Sequence, residues 1–223
     1  MTLFQRASRS AVLLAGALIL SACGNGAKDL PSVMFGKIIA DKAGALTAAE
    51  SPVVPAEEVA TRVLAATDQP VVLVQFDDDP SARALVPIQS DGAYILWGAP
   101  DRRTLTTYNG VLVESRGLVQ DMMSSDVTAL SAALARGTSG TVPHVQRYLT
   151  PEYVTETVSA TCALAMGAPV AADGKTLRRV TETCRDGAQS YENTYVVDAS
   201  GQVISAHQWV SPMVGHVRVT RLR

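Results

Sequence analysis

The spacing of apolar residues predicts that most of the chain forms β-strands. From residue 70 onward, short β-branched and apolar runs are separated by segments rich in Gly, Asp, Asn, Ser and Pro, a pattern typical of strands joined by turns. The expected strands are residues 71–76, 84–88, 94–99, 142–149, 154–166, 176–184, 191–197, 203–209 and 216–222. Because the strands of the last third follow one another directly, we expect a consecutive antiparallel meander and not βαβ units.

The sharpest local prediction is a β-hairpin within residues 104–116. Leu105-Thr106-Thr107-Tyr108 and Val111-Leu112-Val113 flank the dipeptide Asn109-Gly110. Asn-Gly supplies the positive φ angles that a two-residue type I′ turn requires. The segment therefore reads as two paired strands with a tight turn between them.

Two stretches have helical periodicity. In residues 56–66, apolar residues recur at the i, i+3, i+4, i+7 and i+8 positions of an amphipathic helix. The second stretch is residues 126–135, and Gly137 lies just past its end. Its expected N-cap is Ser125 or Asp126, and its expected inward-facing residues are Val127, Leu130 and Leu134. Residues 33–39 are apolar but ambiguous, so the prediction is a mainly β fold with two or three short helices.

The first 23 residues have the layout of a bacterial export signal. Arg6 and Arg9 precede the apolar run 11–20, which ends in Leu20-Ser21-Ala22-Cys23. That run is too short to cross a hydrocarbon core of ~30 Å as a helix. Leu-Ser-Ala-Cys looks like a bacterial lipobox, which implies cleavage before Cys23 and acylation of that residue. The alternative is an ordinary signal peptide whose cleavage site lies beside a cysteine.

Lipidation at Cys23 would hold the protein on a membrane, because two or three acyl chains together bind far more tightly than one. Gly24 replaces the Asp that typically retains Gram-negative lipoproteins in the inner membrane, so we expect the periplasmic face of the outer membrane. The expected organisation is a signal peptide at 1–22, an anchor and tether at 23–32, and one domain at 33–223. Removing residues 1–22 from 223 leaves 201 residues, enough for one domain with a real core.

The charge balance argues against nucleic-acid binding. Arg6 and Arg9 leave with the signal, so 17 of the 19 basic residues remain against 21 acidic ones, a net charge of −4. No basic cluster of the kind that binds nucleic acid is present in the sequence. The aromatic content of 5% is low for a sugar-binding cleft lined with stacked rings.

The remaining cysteines, Cys162 and Cys184, suggest a disulfide. An oxidising periplasm favours a bridge over two buried free thiols, which is the alternative. Both residues lie in expected strands joined by a turn around 172–174, so antiparallel pairing would bring them within bridging distance. Such a bridge would stabilise the fold by ~3 kcal/mol in the chain-entropy model.

The sequence offers little support for a metal site. His144, His207 and His216 have no metal-binding spacing, although the latter two would lie on neighbouring strands. The acidic run 77–79 lacks the alternating pattern and distal Glu of a calcium loop. We therefore expect neither a metal nor another cofactor.

Enzyme signals are equally sparse. Paired carboxylates for glycoside cleavage are recognised by their separation in space, and the candidates are Glu114, Asp121 and Glu182. Gln208-Trp209 has the residue types that bind a sugar, but a tryptophan in a strand is more often part of the core. The same interpretation applies to Trp97.

Two groups of motifs stand in a characteristic order along the chain. The first comprises Asn109-Gly110-Val111-Leu112-Val113, Arg116-Gly117-Leu118 and Asp121. The second comprises Glu182-x-Cys184, Asn193-x-Tyr195-Val196-Val197-Asp198, Gly201-x-Val203, and Ser205-x-x-Gln208-Trp209 with Pro212 and Gly215. Together they resemble the YjbF/GfcB family of capsule and exopolysaccharide lipoproteins, over about residues 35–222.

The resemblance implies a strongly curved, largely antiparallel sheet, in the form of an open barrel or sandwich. It also implies a non-catalytic accessory role in capsule or exopolysaccharide production or export. The implied partners are an outer-membrane barrel protein or another envelope component, and the polysaccharide itself is a further candidate. The family supplies no catalytic residues to carry over. Two alternatives stay open: a periplasmic enzyme acting on the polysaccharide, and a lipid carrier with a deep apolar concavity.

Overall fold

The computed structural model describes residues 54–172, 174–187 and 189–223. The predicted signal peptide, Cys23, the tether and residues 33–39 lie outside the described residues. Two helices and twelve strands are present in the described part. The helices are α1 (Ala56–Ala66) and α2 (Thr128–Arg136). Neither described helix is long and apolar enough to span a membrane.

The predicted strands are present in the predicted order, some of them longer than expected and others of equal length or one residue shorter. The first six are β1 (Val72–Phe76), β2 (Asp79–Asp91), β3 (Tyr94–Gly98), β4 (Thr104–Tyr108), β5 (Val111–Arg116) and β6 (Met122–Asp126). The other six are β7 (Gly140–Leu149), β8 (Thr155–Ala172), β9 (Lys175–Asp186), β10 (Gln189–Asp198), β11 (Val203–Ser211) and β12 (Gly215–Arg221). The mainly β prediction is therefore confirmed.

All twelve strands form one antiparallel sheet in the order β5-β4-β3-β2-β1-β12-β11-β10-β9-β8-β7-β6. Each strand pairs with its chain neighbour except at two places: β1 pairs with β12, and β5 and β6 form the two ends. These ends lie side by side, where Met122 N donates to Ser115 Oγ at 2.9 Å. The sheet is thus curved into an almost closed, barrel-like form, as the resemblance implied.

Local signals placed both helices correctly. Helix α1 has the predicted bounds. Helix α2 begins two residues later than predicted, and the predicted N-cap, Ser125 or Asp126, is wrong: both residues end β6, and the N-cap is Val127. The Asp126 carboxylate instead accepts the Thr128 N–H at 3.1 Å from outside the helix. Hydrogen bonds from Thr128 hold the pKa of Asp126 below its ordinary value. Gly137 ends the helix in the left-handed conformation, at φ 63°.

The predicted hairpin is present as β4–β5. Asn109 has φ 50° and Gly110 has φ 84°, as a type I′ turn requires. Gly110 is also needed for space, because a Cβ there would lie 2.5 Å from the carbonyl oxygen of Val203. The hairpin tip is tied to β11 by a hydrogen bond from Val203 N to Asn109 O of 3.2 Å.

Strand β5 lies between two apolar clusters inside the sheet. Val111 and Val113 belong to the larger cluster, which is built mainly by α2 and β7–β11. Leu112, on the opposite face, belongs to the second cluster, built mainly by β1–β4 and β12. All three residues are buried, so the interior is filled with packed side chains on both faces of β5.

Strand β6 was not predicted, and that omission is wrong. Its sequence, Met-Met-Ser-Ser-Asp, has little hydrophobic alternation, and the strand has a ladder with β7 alone. The largest extension beyond the predicted bounds is in β2, which was expected at 84–88 and spans Asp79–Asp91. Strand β8 also continues to Ala172, past a register shift between Met166 and Pro169. Pro169 is tolerated because a bulge relaxes the demand for a ladder N–H.

Candidate functional site

A network of buried polar side chains lies inside the sheet among β7–β11. Its fully enclosed members are His144, Gln146, Glu182, Asn193 and Gln208, each at most 1% exposed. Buried polar groups are stable only when they are hydrogen-bonded, so each must have partners within the fold. The partners lie on several strands, so the network connects these strands by hydrogen bonds across the interior.

Glu182 is the centre of this network. Its Oε1 lies 3.1 Å from His144 Nδ1, and its Oε2 accepts from Asn193 Nδ2 and Tyr195 OH, each at 2.8 Å. Burial raises the pKa of Glu182, but the bonds and charge of His144, with those of Asn193 and Tyr195, outweigh it, so the pKa lies below its ordinary value. Burial and the adjacent Glu182 raise the pKa of Tyr195 well above its ordinary value, which keeps that hydroxyl a donor.

Ser125, His144 and Glu182 form a hydrogen-bonded series. Because a carboxylate only accepts, His144 Nδ1–H donates to Glu182 Oε1, while His144 Nε2 lies 2.9 Å from Ser125 Oγ. Ser-His-acid hydrolases use the same order of groups. Here, however, His144 and Glu182 are 1% and 0% exposed, and the surface groove described below is lined by other residues.

Two side-chain amides of the network complete the backbone pairing of β5 and β11. The backbone pairing of β10 with β11 ends at the pair Thr194–His207. Beyond this pair, the side chain of Asn193 replaces a backbone acceptor, and its Oδ1 accepts a hydrogen bond from Trp209 N at 2.7 Å. Gln208 Oε1 accepts Leu112 N at 2.7 Å across the interior. Each amide thus bonds a backbone group at a place where a strand ladder does not provide a partner.

Trp209 and Trp97 are both buried, as predicted for core residues. Trp209 is 8% exposed, and its ring stacks on Tyr191 at a centroid distance of 4.6 Å. Trp97 is 3% exposed, and its Nε1 donates to Thr107 Oγ1 at 2.9 Å. Neither ring presents its face to solvent for a sugar.

Cys162 and Cys184 form a disulfide between directly opposed positions of β8 and β9, with a Cα–Cα distance of 4.0 Å. Their sulfurs and ligand atoms of His144 and Glu182 all lie within 4.8 Å of one another, a grouping that suits a metal ion. With the sulfurs joined, only the imidazole and the carboxylate remain as donors, and these already bond to each other. The oxidised cluster therefore favours a structural role.

The motif Arg116-Gly117-Leu118 with Asp121 forms the connection from β5 to β6. Asp121 accepts from Gly117 N and Leu118 N, both at 3.0 Å, and from the Ser115 hydroxyl at 3.1 Å. Arg116 Nη1 donates to the carbonyls of Ser115 at 2.6 Å and Met122 at 3.2 Å. The carboxylate and the guanidinium thus hold together the two end strands of the sheet.

The remaining sequence candidates lie at the surface. His207 and His216 stack at a centroid distance of 4.8 Å, as neighbouring strands allow, and His207 Nε2 also contacts Asp77 at 2.9 Å. His216 Nε2 donates to the Glu192 carbonyl at 2.8 Å. Pro212 is exposed in the β11–β12 turn. The three candidate carboxylates have different surroundings: Asp121 closes the β5–β6 turn, Glu182 is enclosed, and Glu114 lines a surface groove.

A groove of about 420 Å³ with a mixed polar and apolar lining lies on the outer face of β2–β5. Its lining includes the charged side chains of Asp91, Glu114 and Arg116, the hydroxyls of Thr104 and Thr106, and the ring of Tyr94. Tyr94 is 50% exposed and contacts Tyr108 at a centroid distance of 4.7 Å. Of these residues, sequence reasoning singled out only Glu114 and Arg116, since the groove arises from the pairing of four strands.

The comparisons with known proteins agree with this architecture. Residues 29–222 match the model of the YjbF family, described as group 4 capsule polysaccharide lipoprotein gfcB, YjbF. The chain therefore belongs to this family of capsule polysaccharide lipoproteins, as its motifs indicated. It is similar in structure to the hypothetical lipoprotein YmcC of Escherichia coli K12, with a TM-score of 0.60 and 16% identity over 74% of this chain and 89% of that chain. None of the curated proteins matches significantly.

Proposed function

We propose that this protein is an outer-membrane lipoprotein that acts as a non-catalytic accessory component in capsule or exopolysaccharide production or export. Family membership supports the polysaccharide context. The lipobox ending at Cys23 supports attachment to a membrane, and Gly24 supports sorting to the outer membrane with the body in the periplasm. Two or three acyl chains would make this attachment effectively permanent.

One observation carries the non-catalytic part of the proposal: the family's motif side chains are occupied in holding the fold. Glu182 and Asn193 are enclosed and hydrogen-bonded to each other, Gln208 bonds the backbone of Leu112, and Asp121 closes the β5–β6 turn. A catalytic group must reach its substrate, whereas these groups are saturated by the protein itself. The motif residues therefore maintain a rigid fold. We assign the function to the outer surface of the protein and to its lipid anchor.

The partners follow from this placement. An anchored body can meet an outer-membrane barrel protein or another envelope component of polysaccharide export on one side and the polymer on another. Anchoring both partners in the same membrane raises their effective concentration, so even a small contact surface would suffice.

The two alternatives find less support in the described residues. A lipid carrier needs a deep apolar concavity, but both faces of β5 are packed against buried side chains. An enzyme needs an accessible reactive group, and the series Ser125–His144–Glu182 ends in two side chains that are enclosed. Labelling with a serine-reactive probe tests the enzyme alternative directly.

A deletion strain tests the proposal. We expect loss of surface polysaccharide while the cytoplasmic sugar precursors stay at normal levels, because the protein would act after their synthesis. Unchanged surface polysaccharide would refute the export role, and depleted precursors would place the protein at an earlier step. Partition of the wild-type protein into the detergent phase, with loss of partition in Cys23→Ala, tests the anchor separately.

A further inference from the structure

The outer-face groove of β2–β5 is built from outward positions that the sheet register aligns. Leu96 of β3 pairs with Thr106 of β4, and Thr106 pairs with Glu114 of β5. Because successive residues of a strand point to opposite faces, aligned positions two residues apart share the outer face. Thr104, paired with Arg116, extends the same surface along the strands. The groove is therefore set by the backbone pairing of the sheet and not by a loop.

Its polar groups are held in place before any ligand arrives. Glu114 forms an ion pair with Arg116 and accepts from Thr106 Oγ1 at 3.1 Å. Side chains that are already ordered lose little conformational entropy when they bind, which improves affinity. Planar carboxylate and guanidinium groups next to hydroxyls match the closely spaced donors and acceptors of a sugar ring.

Tyr94 adds an apolar face beside these polar groups. Its ring is half exposed and is supported by Tyr108, tilted by 54° at 4.7 Å. An aromatic ring with a fixed orientation can pack against the C–H face of a sugar while polar neighbours bond its hydroxyls. The Tyr94 ring and the polar side chains beside it are enough to contact a sugar ring, so a cleft lined by several stacked aromatic rings is not required.

The charge of the groove lining indicates which class of polysaccharide it can bind. Asp91 and Glu114 outnumber the one cation, Arg116, and that cation is already paired with Glu114. A polyanionic glycan would therefore meet net repulsion, while a neutral one would not. The groove is open and shallow, which suits an internal segment of a long polymer.

We propose that the β2–β5 groove binds a segment of a neutral, hydroxyl-rich polysaccharide. This inference rests on the proposed function, which it deepens by naming the surface and the class of polymer. The bound segment lies across β3 and β4, with a sugar ring against Tyr94 and hydroxyls bonded to Glu114 and its neighbours. The protein then holds the polymer near the membrane that anchors it.

Affinity electrophoresis in native gels tests the groove. The gels contain either the exopolysaccharide purified from the bacterium that makes the protein or alginate, a polyanionic glycan. We expect the wild type to be retarded by the exopolysaccharide and not by alginate, and Tyr94→Ala to lose roughly tenfold in affinity. Glu114→Gln should also weaken binding. Tyr153→Ala, a change at a tyrosine that is 85% exposed in the β7–β8 turn, is the matched control and should bind as the wild type does.

Any of three results would overturn the inference. These are equal retardation of the wild type and Tyr94→Ala, stronger retardation of the wild type in alginate than in the exopolysaccharide, and no retardation of the wild type at all. Unfolding temperatures of all variants show whether a loss of binding reflects a loss of fold. If the deletion strain loses its polysaccharide while Tyr94→Ala binds normally, the groove is not the polysaccharide-binding site, and the export role is still supported. If the deletion has no effect, the export role fails whatever the gels show.

Discussion

The side-chain amide of Gln208 is hydrogen-bonded to the backbone of Leu112 across the interior of the sheet. Gln208 Oε1 accepts from Leu112 N at 2.7 Å, and Gln208 Nε2 lies 3.5 Å from Leu112 O. One side chain of β11 thus pairs with a residue of β5, 96 positions away in the chain. This contact fixes β5 between the two apolar clusters, where Leu112 is fully buried.

Replacing Gln208 with Leu should destabilise the protein by about 2 kcal/mol, because Leu112 N–H would be left buried without an acceptor. Denaturant unfolding of both proteins measures the difference. The control is Gln89→Leu, an exposed position in β2, which should change stability by less than about 0.5 kcal/mol. Equal midpoints for wild type and Gln208→Leu would show that the amide does not hold β5.

Glu182→Gln should remove part of the acid sensitivity of the fold. The pKa of Glu182 in the folded protein lies below 4.5, so its contribution to stability is present above that pH and is lost as the pH falls through the folded value. His144, Asn193 and Tyr195 face the carboxylate from β7 and β10 and cause this shift. The wild type should be more stable than the variant near pH 7, with a gap that narrows as the pH falls below 4.5. A gap that stays constant or widens on acidification would contradict the assignment.

Opening the Cys162–Cys184 bridge should cost about 3 kcal/mol, because the 22-residue separation closes a loop that restricts the unfolded chain. Thiol titration of denatured, unreduced protein should find neither cysteine reactive, and the Cys162→Ala/Cys184→Ala double variant should unfold at a lower temperature. Two reactive thiols in the denatured wild type would rule out the bridge.

Much of the local structure could be predicted because short-range rules decide it. Asn109-Gly110 dictates a type I′ turn, and the i, i+3, i+4 spacing of residues 56–66 dictates the bounds of α1. Strand β6 could not be found in the same way, because its pairing with β7 is a long-range property of the closed sheet. The pairing of β1 with β12 is long-range for the same reason.

The buried network was only partly visible in the sequence. Val180, Glu182 and Cys184 alternate along β9, so an inward-facing Cys184 implies an inward-facing Glu182. The approach of Ser125 to His144 carries no such signal, since it depends on the β6–β7 register, in which Ser125 pairs with Gln146. Periodicity can therefore indicate that a carboxylate is buried without identifying its partners.

A serine-reactive fluorophosphonate tests whether the Ser125–His144–Glu182 series is catalytic. Because His144 and Glu182 are enclosed and hydrogen-bonded within the fold, the wild type should remain unlabelled under conditions that label a serine hydrolase completely. Ser125→Ala, which keeps the backbone, serves to assign any label that appears. Labelling of the wild type that disappears in Ser125→Ala would establish an accessible nucleophile and favour the enzyme alternative.

Membrane anchoring through Cys23 is the property on which the proposed role in polysaccharide export depends most. The most direct measurement is the amount of surface polysaccharide in the deletion strain carrying either the wild-type chain or Cys23→Ala at matched protein levels. We predict that the wild type restores the polymer and that Cys23→Ala, which cannot receive acyl chains, does not. Full restoration by Cys23→Ala would contradict the account.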